Sequence, residues 1–165
     1  MKKDLVLRMI EQLGGVISRI MNLNRSGNHE EAQTHLNQTF RLAVGFERDF
    51  IEKSTPNSLA SLLIADKPPA VWMEPSCILV RLLHEQAHIH RAIGNRLAAD
   101  NADLKALYIL LAIQRKADGK ELLPITPGLV ELVAGVPMDK LPSFLQEAIG
   151  RYKSDHPVYT NRQII

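Results

Sequence analysis

His84-Glu85-Gln86-Ala87-His88 is the segment whose residue types and spacing most plainly offer chemistry. Histidines four positions apart stand about one helical turn from each other, where their ring nitrogens can share a Zn²⁺ ion. A glutamate beside the first can take a proton from zinc-bound water, which makes that water a nucleophile for hydrolysis. His84 and His88 are therefore candidate metal ligands, and Glu85 is the candidate general base.

A catalytic zinc needs a third protein ligand, and the extended form of this motif would place a glycine and a histidine where Arg91 and Gly94 stand. His90 is turned by roughly 200° from His88 on a helix and so cannot complete the site. Asp100 and Asp103, on the following helix, remain as donors. Arg81 and Arg91 flank the pair on the same face, at spacings that bring two fixed positive charges towards a cation. The same residues read more simply as an ordinary polar helix face. That face, with Arg81, His84, His88 and Arg91, is the candidate surface for an acidic segment of a partner.

No other chemistry competes. Cys77 is expected at a helix start, where a thiol pKa falls, but nothing near it in sequence supplies a base. Glycine-rich phosphate loops are missing, so nucleotide binding has no support. The expectation is no catalytic residue and no cofactor, with zinc only under the hydrolase alternative.

The elements that must position these residues are helical. From Asp4 to Asn24 the residues Val6, Met9, Ile10, Leu13, Val16, Ile17, Ile20 and Leu23 recur every three or four positions and predict one long amphipathic helix. Gly14-Gly15 in its middle predicts close packing by another backbone. Turn residues Arg25 to Asn28 lead into a second, antiparallel helix with Ala32, Leu36, Thr39 and Phe40 inward, ended by Gly45. A short helix is expected within Phe46 to Lys53, and another apolar piece over Leu59 to Ala65. The prolines of Asp66 to Pro75 predict a crossover loop in which Trp72 anchors a core edge.

Ser76 is expected to cap a third long helix reaching about Ile93, and a fourth runs from Asp100 or Asn101 to Ala117. His90 is expected to be a hydrogen-bonded residue between them. Beyond Gly119, prolines punctuate short segments: one helix from Thr126-Pro127 closed by Gly135, another from about Asp139 or Pro142 to Tyr152, then a dozen extended residues. No segment alternates long enough for a sheet, so the fold class is all-α, one domain over 1–165 with a helical core over 4–119 and an extension over 120–165.

Composition bounds the partners. The chain of 165 residues is 45% hydrophobic and 23% charged, enough for one sizeable core. A net charge of +2 and 5% aromatics argue against a nucleic-acid surface. No apolar run approaches the roughly 20 residues of a membrane span, and the basic start lacks a sustained apolar stretch for export. A lone cysteine fits a reducing compartment, so the expected location is cytoplasmic.

Small residues recur at fixed offsets in the two hairpins: Gly27, Ala32 and Thr39 in one, Ala87, Gly94, Ala99 and Ala106 in the other. This pattern resembles the tetratricopeptide repeat (TPR). Its departures are Val16 and Leu83 where a bulky aromatic is expected, and Asp103 at an apolar position. Met9 to Leu13 and Asn28 to Ala32 resemble a small bacterial family of TPR-like proteins. The resemblance implies stacked helical hairpins, a bacterial origin and a scaffold or protein-binding role, and it transfers no catalytic residue. A protein or peptide partner and possible homodimerisation are the expectations it leaves.

Overall fold

The computed structural model describes residues 2–155, helices joined by turns and irregular segments with no strand among them. The extended reading of the last dozen residues lies largely outside the described region. Eight α-helices follow in order: α1 Lys2–Arg25, α2 His29–Thr39, α3 Arg48–Lys53, α4 Pro56–Ile64, α5 Pro69–Ala92, α6 Arg96–Ala117, α7 Leu129–Val133 and α8 Ser143–Asp155. A π-helical segment, Phe40–Val44, extends α2, and a 3₁₀ turn, Met138–Lys140, precedes α8. No helix among the described residues is long and apolar enough to cross a membrane.

Helices α1 and α2 form one hairpin and α5 and α6 the other, with α2 and the π-helical segment packed on α5. Gly27 and Gly94 hold φ of 87° and 83° at the two hairpin turns, a conformation that suits a residue without Cβ. Ala87 and Ala99 are fully buried where α5 meets α6, and Ala102 packs with them; side chains this small let the axes come close. Leu79, Leu82, Leu83, Leu107, Ile109 and Ile113 build the core beneath.

Two expectations about helix interiors are corrected. The proline-rich stretch is the first turns of α5, not a crossover loop. Pro69 occupies the first helical position, where its missing N–H costs nothing, and Pro75 lies inside. An interior proline costs about 3 kcal/mol, whereas full burial of Trp72 one turn earlier returns about 4–6 kcal/mol at the usual value per apolar area. Ser76 is consequently a buried mid-helix residue and caps nothing.

The second correction concerns α1. It is continuous through Gly14-Gly15, but a Cβ at either glycine would meet nothing within 4 Å, so no backbone packs there. Ile17 and Ile20 are buried while Met9 and Val16 of the same stripe are exposed. Ile10 and Leu13, between Met9 and Val16, are half-buried, so this part of the stripe is covered only in part.

The remaining boundaries shift by a few residues. Asn95 caps α6 by accepting from the Ala98 N–H, earlier than the expected start near Asp100. Thr55 caps α4 in the same way through the Ser58 N–H. Helix α7 begins at Leu129, after Thr126-Pro127, and spans five residues.

Candidate functional site

Helix α5 carries His84, Glu85, His88 and Arg91 against α6 and α7, and the cluster they form there is closed by contacts within the chain. His84 is 4% exposed, Glu85 3% and Asp103 0%, whereas His88 is exposed and Arg81 and Arg91 are half-buried, so the polar face marked out by Arg81, His84, His88 and Arg91 is closed at His84, in a buried joint, and open to solvent at His88. The apolar position that Asp103 interrupts in the repeat pattern is where α6 delivers a carboxylate to His84.

Asp103 Oδ1 lies 3.0 Å from His84 Nδ1, and Asp103 Oδ2 accepts from Arg91. An ionised carboxylate can only accept, so His84 Nδ1 donates to Asp103. His88 Nε2 lies 3.1 Å from His84 Nε2, within hydrogen-bond distance. The imidazoles meet edge to face with centroids 4.5 Å apart. Partial desolvation on the side of the ring that meets the cluster, with His84 and Arg91 close by, lowers the His88 pKa from the ordinary histidine value.

Helix α7 packs along one side of the cluster. Its Glu131 Oε1 stands 3.5 Å from His84 Nε2 and accepts from Arg81 at 3.4 Å. Arg81 Nε also faces Glu85 Oε1 at 3.4 Å. Just beyond α7, the Gly135 carbonyl accepts from Arg91 at 2.9 Å. A Cβ on Gly135 would lie 2.6 Å from the Arg91 guanidinium and 2.7 Å from Asp103 Oδ2, so only glycine lets the chain come this close.

This geometry meets part of what zinc requires. Two nitrogens on one tetrahedral zinc stand about 3.3 Å apart, close to the spacing of the two Nε2 atoms, and Asp103 behind His84 is the usual supporting carboxylate. The rest does not fit. Asp103 engages Nδ1, on the far side of the ring, and Asp100 is paired with Lys140 at 3.3 Å. Among the described residues no three His, Cys, Asp or Glu side chains are disposed to hold a metal ion. Glu85 faces Arg81, and burial pushes its carboxyl above the usual carboxylate range.

Two further expectations are corrected. Cys77 is fully buried in mid-helix, and desolvation raises its pKa, the opposite of activation. His90 is buried at 8% exposure, but its Nδ1 has no hydrogen-bond partner. It lines a cleft of about 580 Å³ bordered by α3, α5 and the start of α6. Sequence reasoning did not find this cleft, nor Glu131 and Gly135 in the joint, because each comes from an element distant in the chain.

A second, apolar groove of about 270 Å³ runs beside α1, where Met9, Leu13 and Val16 face Leu42, Ile78 and Leu123. Leu42, on the π-helical segment, is 81% exposed, whereas Phe40 two residues earlier is fully buried. Comparison with protein-family models, curated proteins and solved structures finds no match for the chain.

Proposed function

We propose that the protein is a non-enzymatic protein-interaction module, a scaffold of TPR-like helical hairpins that binds another polypeptide along α1. The observation that carries this reading is the apolar groove beside α1 together with Leu7, Met9, Val16 and Leu42, all exposed. Large apolar side chains gathered at one groove, rather than scattered singly, are the usual mark of a binding surface. Of the candidate partner contacts Arg81, His84, His88 and Arg91, all but the exposed His88 are paired with carboxylates of the chain, which supports an interface along α1 instead. A bacterial, cytoplasmic setting completes the proposal and accords with the single buried thiol.

Site-specific photo-crosslinking tests this. A photoreactive residue at position 42 or 9 of the full chain, expressed in cells, should give a discrete adduct with another polypeptide. A second copy of this chain would count as the partner and would show as twice the chain mass. Position 97, where Leu97 is exposed away from the groove-lining residues, should give none. Equal labelling at all three positions, or none at any, overturns the proposal.

The zinc-hydrolase reading, with His84 and His88 as ligands and Glu85 as base, is the alternative. One observation favours it: the 3.1 Å approach of two Nε2 atoms with a carboxylate behind one ring. Metal content decides it: stoichiometric Zn²⁺ bound by the wild type and lost in His88→Ala would support it.

A further inference from the structure

We propose that the cleft bordered by α3, α5 and the start of α6 binds a small ligand through an oxyanion, a carboxylate or a phosphate group. This site is separate from the apolar groove and does not depend on its having a partner.

The first argument is charge. Arg48, Lys53 and Lys105 line the cleft against a single carboxylate, Glu52. Arg48 gives only its Nε to Glu52, at 2.7 Å, which leaves the other N–H groups of its fork without that partner. Lys105 spans the cleft from α6 and donates to the Ile51 and Glu52 carbonyls at 2.8 and 2.9 Å. It thereby covers the carbonyl end of α3, which would otherwise repel an anion. An ammonium has three protons, so one remains for a ligand.

The second argument is the helix dipole. Asn95, Ala98, Asn101 and Ala102 place the first turns of α6, a helix of 22 residues, on the cleft wall. Their N–H groups are already used, Asn95 on the His90 carbonyl and Ala98 on the Asn95 side chain, so α6 contributes the positive end of its dipole rather than free donors.

The third, independent argument is His90. It is more than nine-tenths buried, lines the cleft, and has an Nδ1 with no partner. A buried polar atom without a partner costs free energy, and its place in a fold calls for a reason. Beside it Gln86, 3% exposed, adds an amide to the same wall. The floor between them is apolar, with Ile51, Leu83 and Leu104. A volume of about 580 Å³ with an apolar floor and a few converging polar groups is that of a small-molecule site.

The charged and titratable groups facing His90 are Arg48, Glu52 and Lys53 from α3 and Lys105 from α6. Burial and Arg48 lower the His90 pKa. An oxyanion would offset Arg48 and favour the protonated ring, so binding should strengthen as pH falls from 8 towards 6. Inorganic sulfate, whose charge is constant over that range, isolates this effect from titration of the probe.

The test is a ¹⁵N chemical-shift titration of the full chain at fixed ionic strength, with separate arms of phosphate, succinate and sulfate. Saturable shifts are expected at Asn95, Ala98 and Lys105, and whichever of phosphate and succinate binds tighter names the ligand chemistry. Arg48→Gln should weaken binding by about tenfold, as loss of a charge-assisted contact does. The more exposed Lys53→Gln should weaken it about threefold and decides the matter if Arg48→Gln does not fold. Arg151→Gln on α8 should change nothing. Shifts that are absent or never saturate for every anion, or that are the same in wild type and both cleft variants, overturn the proposal.

Discussion

His84 and His90 lie six residues apart on one helix, both buried, and face opposite fates. Both nitrogens of His84 are engaged, by Asp103 on one side and His88 on the other, while a buried nitrogen of His90 has no partner. The first region spends its polar groups on joining α5 to α6 and α7. The second holds donors that the fold does not use. A histidine motif that matches a catalytic pattern has thus been absorbed into architecture, and the histidine outside the motif lines a cleft with its Nδ1 unpartnered. Saturation of hydrogen-bonding capacity separates the two better than residue type does.

The contrast can be broken at its buried carboxylate. Asp103→Ala removes the one group that serves both His84 and Arg91 and should cost about 3 kcal/mol or more, because it leaves buried partners uncompensated. Denaturant unfolding followed by circular dichroism measures this. A loss below about 1 kcal/mol would mean that the joint does not hold the helices together.

Gly135→Ala should follow, at about 1–3 kcal/mol, since its Cβ must displace Arg91 or Asp103. In an Asp103→Ala background the same change should cost visibly less, because one of the two clashing groups is gone. Additive losses in the double variant would show that the two residues do not share a site.

A third test uses pH. His88 and His90 both have folded pKa values below the ordinary histidine value of 6.5, so the unfolded chain takes up protons first as pH falls. Their stabilising contribution is complete above 6.5 and is lost as pH falls through the folded values. Glu85, raised from 4.5, acts in the opposite sense: its folded form holds a proton just above 4.5, which lessens the acid loss there. Stability should therefore fall between pH 7.5 and 5.5, and His88→Gln should flatten that slope. A slope unchanged in the variant would remove His88 from the account.

The smallest effect is expected at the rim. Glu131 is about half exposed, so Glu131→Gln should change stability by no more than about 0.5 kcal/mol despite its contacts with His84 and Arg81. A much larger loss would place α7 at the energetic centre of the joint.

Much of the fold is legible in the residues, and the illegible parts share a cause. Gly27, Gly45 and Gly119 mark helix ends where they occur, all at positive φ, because that requirement is local. The start of α5 is misread because Pro75 says break, whereas Trp72 buried against distant elements outweighs it. The five-residue π-helical segment that presents Leu42 leaves no local signal either. At the site, His84 and His88 are plain from their spacing, but their role depends on Asp103, Glu131 and Gly135, which are 19 to 51 positions away from His84. The His90 cleft depends likewise on Arg48 and Glu52 arriving from α3.

The metal content of the full chain most directly tests the claim that the His84 cluster is a structural joint. The protein would be purified without chelator or histidine tag, incubated with Zn²⁺, desalted, and measured by elemental analysis beside His88→Ala. The account predicts no stoichiometric zinc in either protein. One equivalent retained by the wild type and lost in His88→Ala would contradict it and restore the hydrolase reading.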